Sequence, residues 1–261
     1  MPTVPEIMAR GINEPPITML TAYDKSIAEI ADSAGIDIVL VGDSVGNTVL
    51  GYETTLPVTI EEMISHTAAV VRGVKEALVV TDLPFLSVGV DESVTIMNAG
   101  KMLKIGGADA VKIESGPHTI SITKRLVDLG IPVMAHVGLL PQRIRQIGGY
   151  YQQGTDESSA LEIMELARGH ENAGAFAIVL EHMPSDIAKN ITEKLDIPTI
   201  GIGAGPHTRG QVLVVDDVIG LSNSSPPFAR KFGDVRTEMS NAIKKYREEV
   251  ISRKFPPEDT N

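Results

Sequence analysis

The chain has 261 residues, 43% hydrophobic and 22% charged, with 34 acidic against 23 basic side chains and a net charge of -11. That content supports a large packed core and excludes a disordered chain; the acidic balance, with no basic run longer than Lys244-Lys245, argues against a nucleic-acid platform. The lack of cysteine excludes a disulfide scaffold and thiolate catalysis, and with no signal pattern and no apolar run near the ~18 residues of a membrane span, a soluble cytoplasmic protein without membrane contact is expected.

In chain order, Thr3 to Arg10 reads as a short helix capped by Thr3, with Pro5 and Glu6 in its first turn. Asn13-Glu14-Pro15-Pro16 breaks it. A unit then recurs: a helix closes on glycine, one or two polar or proline residues follow, and a short apolar strand begins. Ala34-Gly35-Ile36-Asp37, Leu129-Gly130-Ile131-Pro132 and Ala173-Gly174-Ala175-Phe176 are examples. Glycine suits the left-handed residue after a helix, and proline stops the helix from continuing. The strands are continuously apolar rather than alternating, the pattern of parallel strands covered on both faces.

Eight strands are predicted near 18–22, 37–42, 78–82, 110–114, 132–136, 176–181, 198–202 and 212–219, with helices over 26–33, 59–72, 91–105, 118–129 and 157–173. This count predicts a single (β/α)8 TIM barrel domain over residues 1–261, with a short N-terminal helix and residues 223–261 as a C-terminal helical extension. An open doubly wound sheet is the alternative, because only Gly203 to Gly210 separates the last two strands. In the extension, 235–253 is a charged helix with an apolar stripe of Met239, Ile243, Tyr246, Val250 and Ile251, and the last residues are expected to fray.

Active sites of such barrels lie at the C-terminal ends of the strands. The predicted strand ends carry Asp43 and Ser44, Asp82, Lys112 and Glu114, His136, and Glu181 with His182. Each has a structural explanation alone: a turn cap, an ion pair, a core histidine. Together they would crowd charge at one rim, which is costly without a metal or a substrate. Carboxylates and a hydroxyl suit a hard cation such as magnesium. A 2-oxo acid would offer such a cation two oxygens, and a nearby carboxylate such as Glu181 would remove the proton beside the carbonyl. Gly201-Ile202-Gly203-Ala204-Gly205 lacks the spacing of a dinucleotide cradle and reads as a turn after the seventh strand. Gly148-Gly149-Tyr150-Tyr151 to Gly154 reads as a polar aromatic loop: a lid, a contact for a flat ring, or plain surface.

Thr21-Ala-Tyr-Asp24, Leu40-Val-Gly-Asp-Ser44, Thr55-Leu-Pro-Val58, His66-Thr-Ala-Ala69, Asp82-Leu-Pro-Phe85, Val111-Lys-Ile-Glu114, Gly148-Gly-Tyr150 and Gly201-Ile-Gly-Ala-Gly205 run in this order along the chain. Together they resemble the 3-methyl-2-oxobutanoate (ketopantoate) hydroxymethyltransferase family. The resemblance implies a barrel in a homo-oligomer, typically a decamer of two five-membered rings. It implies transfer of a one-carbon unit from the reduced folate 5,10-methylenetetrahydrofolate to 3-methyl-2-oxobutanoate, giving 2-dehydropantoate for pantothenate and coenzyme A. It also implies Asp43 and Asp82 as magnesium ligands with Glu114 beside the metal, Asp43, Ser44, Asp82 and Lys112 on the oxo acid, His136 lining the site, and Glu181 as proton acceptor. Three positions depart from the family pattern: Leu140 for threonine, Arg209 for aspartate, and His182-Met183 after Glu181. Leu140 and Arg209 are expected to bear on the folate side of the site. Two other readings compete: an enzyme of the phosphoenolpyruvate mutase and isocitrate lyase type, and a ring-forming structural protein with a vestigial site.

Overall fold

The structure, a computed structural model, describes residues 2–11 and 14–257. Asn13 of the predicted break and the last four residues of the predicted tail lie outside them. The chain divides into two compact units after Val214. Among the described residues no helix is long and apolar enough to cross a membrane.

The first unit is the predicted TIM barrel. Strands β1 (Ile17–Thr21), β2 (Ile38–Val41), β3 (Leu78–Asp82), β4 (Ala110–Glu114), β5 (Val133–Gly138), β6 (Ala177–Glu181), β7 (Thr199–Ile202) and β8 (Gly210–Leu213) pair in sequence order, and the sheet closes on itself. Closure is the parallel register of Ile17–Leu20 with Gly210–Leu213, which removes the open-sheet alternative. Gly210 is required there: a Cβ at this position would stand 2.6 Å from the Ile17 carbonyl oxygen.

Most predicted helices form: α1 (Val4–Ala9), α2 (Lys25–Ser33), α4 (Ile60–Val71), α6 (Thr119–Asp128) and α8 (Glu157–Asn172). Predicted helix 91–105 ends early. It is α5 (Glu92–Lys101) followed by a wider π-type turn, Met102–Gly106, that stops at left-handed Gly107. Among the described residues, the short α3 (Val45–Thr48) and α7 (Ile144–Ile147), and α9 (Ser185–Lys194), lie where no element was predicted. The last buries only Ala188, Ile191 and Thr192, too thin an apolar face to stand out in a polar decapeptide. Predicted strand 212–219 is also corrected. The strand starts at Gly210 and ends at Leu213; residues Val215–Ile219 form helix α10 at the start of the second unit, with Asp216 and Asp217 in its first turn. Acidic residues there complement the helix N-terminus, which the run of β-branched residues concealed. Helix α11 (Val235–Ile251) follows, and its stripe of Met239, Ile243, Tyr246, Val250 and Ile251 is exposed.

Inside the barrel, Ile17, Met19, Ile38, Leu40, Leu78, Val80, Ala110, Met134, Ala177, Val179, Ile200 and Val212 form one buried cluster, which Ile7 of α1 joins. A second cluster lies between strands and helices, where Ala135, Val137, Ile178 and Leu180 pack with Ile163, Ala188 and Ile191. Strand residues two apart share a face. The inward rows therefore run Leu78-Val80-Asp82, Ala110-Lys112-Glu114, Met134-His136 and Ala177-Val179-Glu181. Each begins in the apolar core and ends in a polar group at the C-terminal rim. Part of the acidic excess is structural at the opposite end. Asp37 accepts the Thr18 amide at 2.8 Å, Asp109 that of Val79 at 2.8 Å, and Glu171 those of Asp196 and Ile197 at 2.6 and 3.2 Å.

Candidate active site

Register sets the site. Asp82 lies beside Lys112, Glu114 beside His136, and Gly138 beside Glu181 on adjacent strands. Asp43 stands two residues past the end of β2, and its amide donates to Asp82 Oδ2 at 3.0 Å. Lys112 Nζ is 3.1 Å from Asp82 Oδ1 and 3.4 Å from His136 Nδ1. His136 Nε2 is 3.0 Å from Glu181 Oε2. Ser44 Oγ and the Tyr23 hydroxyl share a hydrogen bond of 2.8 Å. All the predicted site residues thus meet at one rim; Asp43, Asp82, Lys112 and His136 are buried, while the Glu181 side chain keeps 16% of its exposure.

Burial and the neighbouring Asp82 charge push the Asp43 carboxyl up to about 7, with Lys112 and the Gln142 amide opposing. Burial and then Asp43 raise Glu114 well above the carboxylate range. Burial works against the Lys112 ammonium, but Asp82, Asp43 and Glu114 outweigh it and hold its pKa above the ordinary lysine value. Lys112 is therefore charged. Burial, reinforced by Lys112, lowers the His136 pKa, so the imidazole is neutral at neutral pH. An ammonium has only protons to offer. Nδ1 is consequently the accepting nitrogen and the ring proton sits on Nε2, which lies 3.0 Å from Glu181 Oε2 without an aligned hydrogen bond.

Four carboxylates and one ammonium leave this rim short of positive charge. The raised Asp43 carboxyl reflects burial first and this crowding of carboxylates second. Asp82 Oδ1 is buried without a directed hydrogen bond, its Lys112 contact being one of proximity rather than alignment. Among the described residues no three carboxylate or imidazole groups converge as a complete ligand set. Magnesium does not require one, because it keeps several waters and takes one or two carboxylates. Asp43 and Asp82 fit that role. Glu114 is differently placed: both its oxygens accept the Gln142 amide proton, at 3.1 and 3.2 Å.

Sequence reasoning passed over Gln142 and Tyr23, which carry no charge to flag them. It left the loop from Gly148 to Gly154 open. Its Gln153 amide donates to the His182 carbonyl at 2.9 Å, next to Glu181. Burial and the charges of Glu181, Asp43 and Glu114 raise the Tyr150 hydroxyl, so this loop lies within the field of the site. Leu140 is buried just after β5, on the rim side. Arg209 is elsewhere. It immediately precedes β8 at the N-terminal end of the barrel, and its guanidinium donates to the Asp196 and Leu195 carbonyls at 2.5 and 2.9 Å. The expected effect of Arg209 on the folate side is thus corrected: the residue caps the end of α9.

The family profile described as Ketopantoate hydroxymethyltransferase matches residues 2–258. A 3-methyl-2-oxobutanoate hydroxymethyltransferase of Halobacterium salinarum is 58% identical over 259 residues, covering 98% of this chain and 94% of that protein. Enzymes of the same name from Natronomonas pharaonis and Trichodesmium erythraeum are 60% and 54% identical over 254 and 242 residues, covering 97% and 92% of this chain and 94% and 92% of theirs. Among solved structures, 2,3-dimethylmalate lyase, a PEP mutase/isocitrate lyase superfamily member, matches with a TM-score of 0.62 at 16% identity, covering all of this chain and 88% of that one. Phosphonopyruvate hydrolase in complex with oxalate and magnesium matches with a TM-score of 0.60 at 13% identity, over 95% of this chain and 85% of that one. At such identities these structures share the fold alone.

Proposed function

As a member of the ketopantoate hydroxymethyltransferase family, the chain transfers a hydroxymethyl unit to 3-methyl-2-oxobutanoate, and we propose that 5,10-methylenetetrahydrofolate is its donor and magnesium its resident cation. The product, 2-dehydropantoate, would then feed pantothenate and coenzyme A biosynthesis. Asp43 and Asp82 would hold the cation, with Glu114 beside it. When bound, magnesium would draw charge from the keto oxygen and ease loss of the proton on carbon 3. An oxalate and magnesium complex on the same barrel fold supports this pairing, since oxalate presents the same vicinal oxygens as a 2-oxo acid.

The chain's own groups divide the remaining work. Ser44, hydrogen-bonded to Tyr23, and the Lys112 ammonium bind the oxo acid. Neutral His136 lies with Nε2 3.0 Å from Oε2 of Glu181, in contact rather than in an aligned hydrogen bond, and the other carboxylate oxygen is left for the substrate. Glu181 takes the proton from carbon 3. The carbon left electron-rich bonds to the methylene carbon of the folate as one carbon–nitrogen bond there breaks; water then replaces the second nitrogen on that carbon, leaving its hydroxyl there, and the proton from carbon 3 and the other proton of that water restore the two N–H groups of the departing tetrahydrofolate. The observation that carries this reading is the unbroken row Asp82, Lys112, His136, Glu181, which joins the cation side of the site to the base. We further place the enzyme in the cytoplasm as a homodecamer, in which the exposed stripe of α11 has a neighbouring subunit to cover it. The test is turnover of 3-methyl-2-oxobutanoate with methylene-labelled tetrahydrofolate and magnesium. Label in 2-dehydropantoate is expected; label transfer only from a different reduced pterin would replace the donor.

A further inference from the structure

Outside the residues given roles above, one side chain ties the site together more than any other. Gln142 lies in the tight turn Pro141–Arg143 after β5. Its side-chain nitrogen donates to Asp43 Oδ2 at 2.8 Å and to the Leu83 carbonyl at 3.0 Å. Both partners are acceptors, so the amide is oriented with its NH2 group toward them, and each of its protons has a partner. The main-chain amide of the same residue serves both oxygens of Glu114. Pro141, just before it, has no N–H, so Gln142 carries the next main-chain donor in the turn. One residue thus fixes two carboxylates from two strands, and through Leu83 it is tied to the residue following Asp82. With Asp43 Oδ2 held by Gln142 and Asp82 Oδ2 held by the Asp43 amide, Asp43 turns its Oδ1 to the rim, and Asp82 Oδ1 meets only the unaligned Lys112 ammonium at 3.1 Å.

We propose that Gln142 is a positioning residue for the divalent cation: its side chain orients Asp43, and its main chain orients Glu114, so that the rim presents these carboxylates together. The inference rests on the cation reading above. Hydrogen-bonded groups behind metal ligands govern affinity by fixing ligand orientation, and their loss typically costs about 10–100-fold. A merely structural Gln142 would change the melting temperature and leave the affinity of folded protein untouched.

The test is manganese binding followed by electron paramagnetic resonance, with magnesium titration calorimetry alongside, on the full chain without substrate. Gln142→Met matches the length and removes the donor; Gln142→Asn keeps an amide but is too short to reach Asp43. Each folded variant is expected to bind manganese at least about tenfold more weakly than the unaltered chain. If Gln142→Met does not fold, Gln142→Asn decides alone. A folded variant with unaltered affinity overturns the positioning role and leaves the cation reading standing. No manganese or magnesium binding by the unaltered chain overturns both.

Discussion

Lys112 and His136 lie side by side on β4 and β5, with Nζ 3.4 Å from Nδ1. This contact fixes which ring nitrogen is protonated, and so determines what Glu181 meets at Nε2. A protonated imidazole would hold the Glu181 charge more tightly and weaken it as a base. Burial and Lys112 together keep His136 neutral. In the proposed reading the lysine would therefore have two effects: binding the anionic substrate, and keeping Glu181, the proposed base beyond His136, available.

Replacing Glu181 by glutamine keeps size and shape but removes the proposed proton acceptor. Magnesium and oxo-acid binding by calorimetry should stay within a few-fold of the unaltered chain. Proton exchange at carbon 3 should fall by roughly 10²–10⁴-fold. Normal exchange in Glu181→Gln would assign the base to another group.

Asp43→Ala and Asp82→Ala should each weaken magnesium-dependent oxo-acid binding by at least about tenfold. Raising magnesium should recover part of the loss. Full activity of either variant at low magnesium would show that these carboxylates do not hold the cation.

Gly138 sits at φ +94°, and a Cβ there would overlap the Glu181 carbonyl oxygen. That oxygen accepts the Leu139 amide at 2.8 Å, so β5 and the backbone of the base are locked together. Gly138→Ala should cost about 1–3 kcal/mol of stability and lower kcat. Melting curves and initial rates measure the two effects. An alanine variant with unaltered kcat would free Glu181 from this constraint.

His170 is fully buried on α8, with Nδ1 2.9 Å from Thr123 Oγ1 and Nε2 3.3 Å from Thr119 Oγ1, and burial lowers its pKa to about 4. The unfolded chain binds this proton near pH 6.5, so between pH 6.5 and 4 it holds more protons than the folded one. Stability associated with His170 is then complete above pH 6.5 and is lost as pH falls toward 4, by up to about 3 kcal/mol. His170→Gln should flatten that acid limb in melting temperature measured from pH 7.5 to 4.5. An unchanged limb would place the acid sensitivity elsewhere.

Arg209→Ala removes the guanidinium bonds to the Leu195 and Asp196 carbonyls. A loss of about 1–3 kcal/mol in stability is expected, with KM for the folate donor unchanged. A raised KM at unaltered stability would return Arg209 to the folate side.

Much of the site was legible because strand geometry is regular. Asp82, Lys112, Glu114, His136 and Glu181 follow from period two once the strands are placed, and Asp43 from the glycine that ends β2. The barrel was legible for the same reason, helped by its glycine-closed helices. What escaped lies where local signals are weak or misleading. α9 has a thin apolar face. β8 runs into α10 through residues that favour strands. Gln142 has no charge, and only the folded chain brings its turn against Asp43, 99 positions away. Arg209 was misplaced because the loop after Gly205 crosses from one end of the barrel to the other, a path its sequence does not reveal.

The most direct measurement is proton exchange at carbon 3 of 3-methyl-2-oxobutanoate, followed by NMR in deuterated buffer with and without magnesium and with no folate present. Exchange that needs both the protein and the cation is predicted, because in the proposed reading Glu181 removes that proton before the donor reacts. A titration showing the oxo acid bound in the presence of magnesium, yet with its carbon 3 proton retained, would contradict the account.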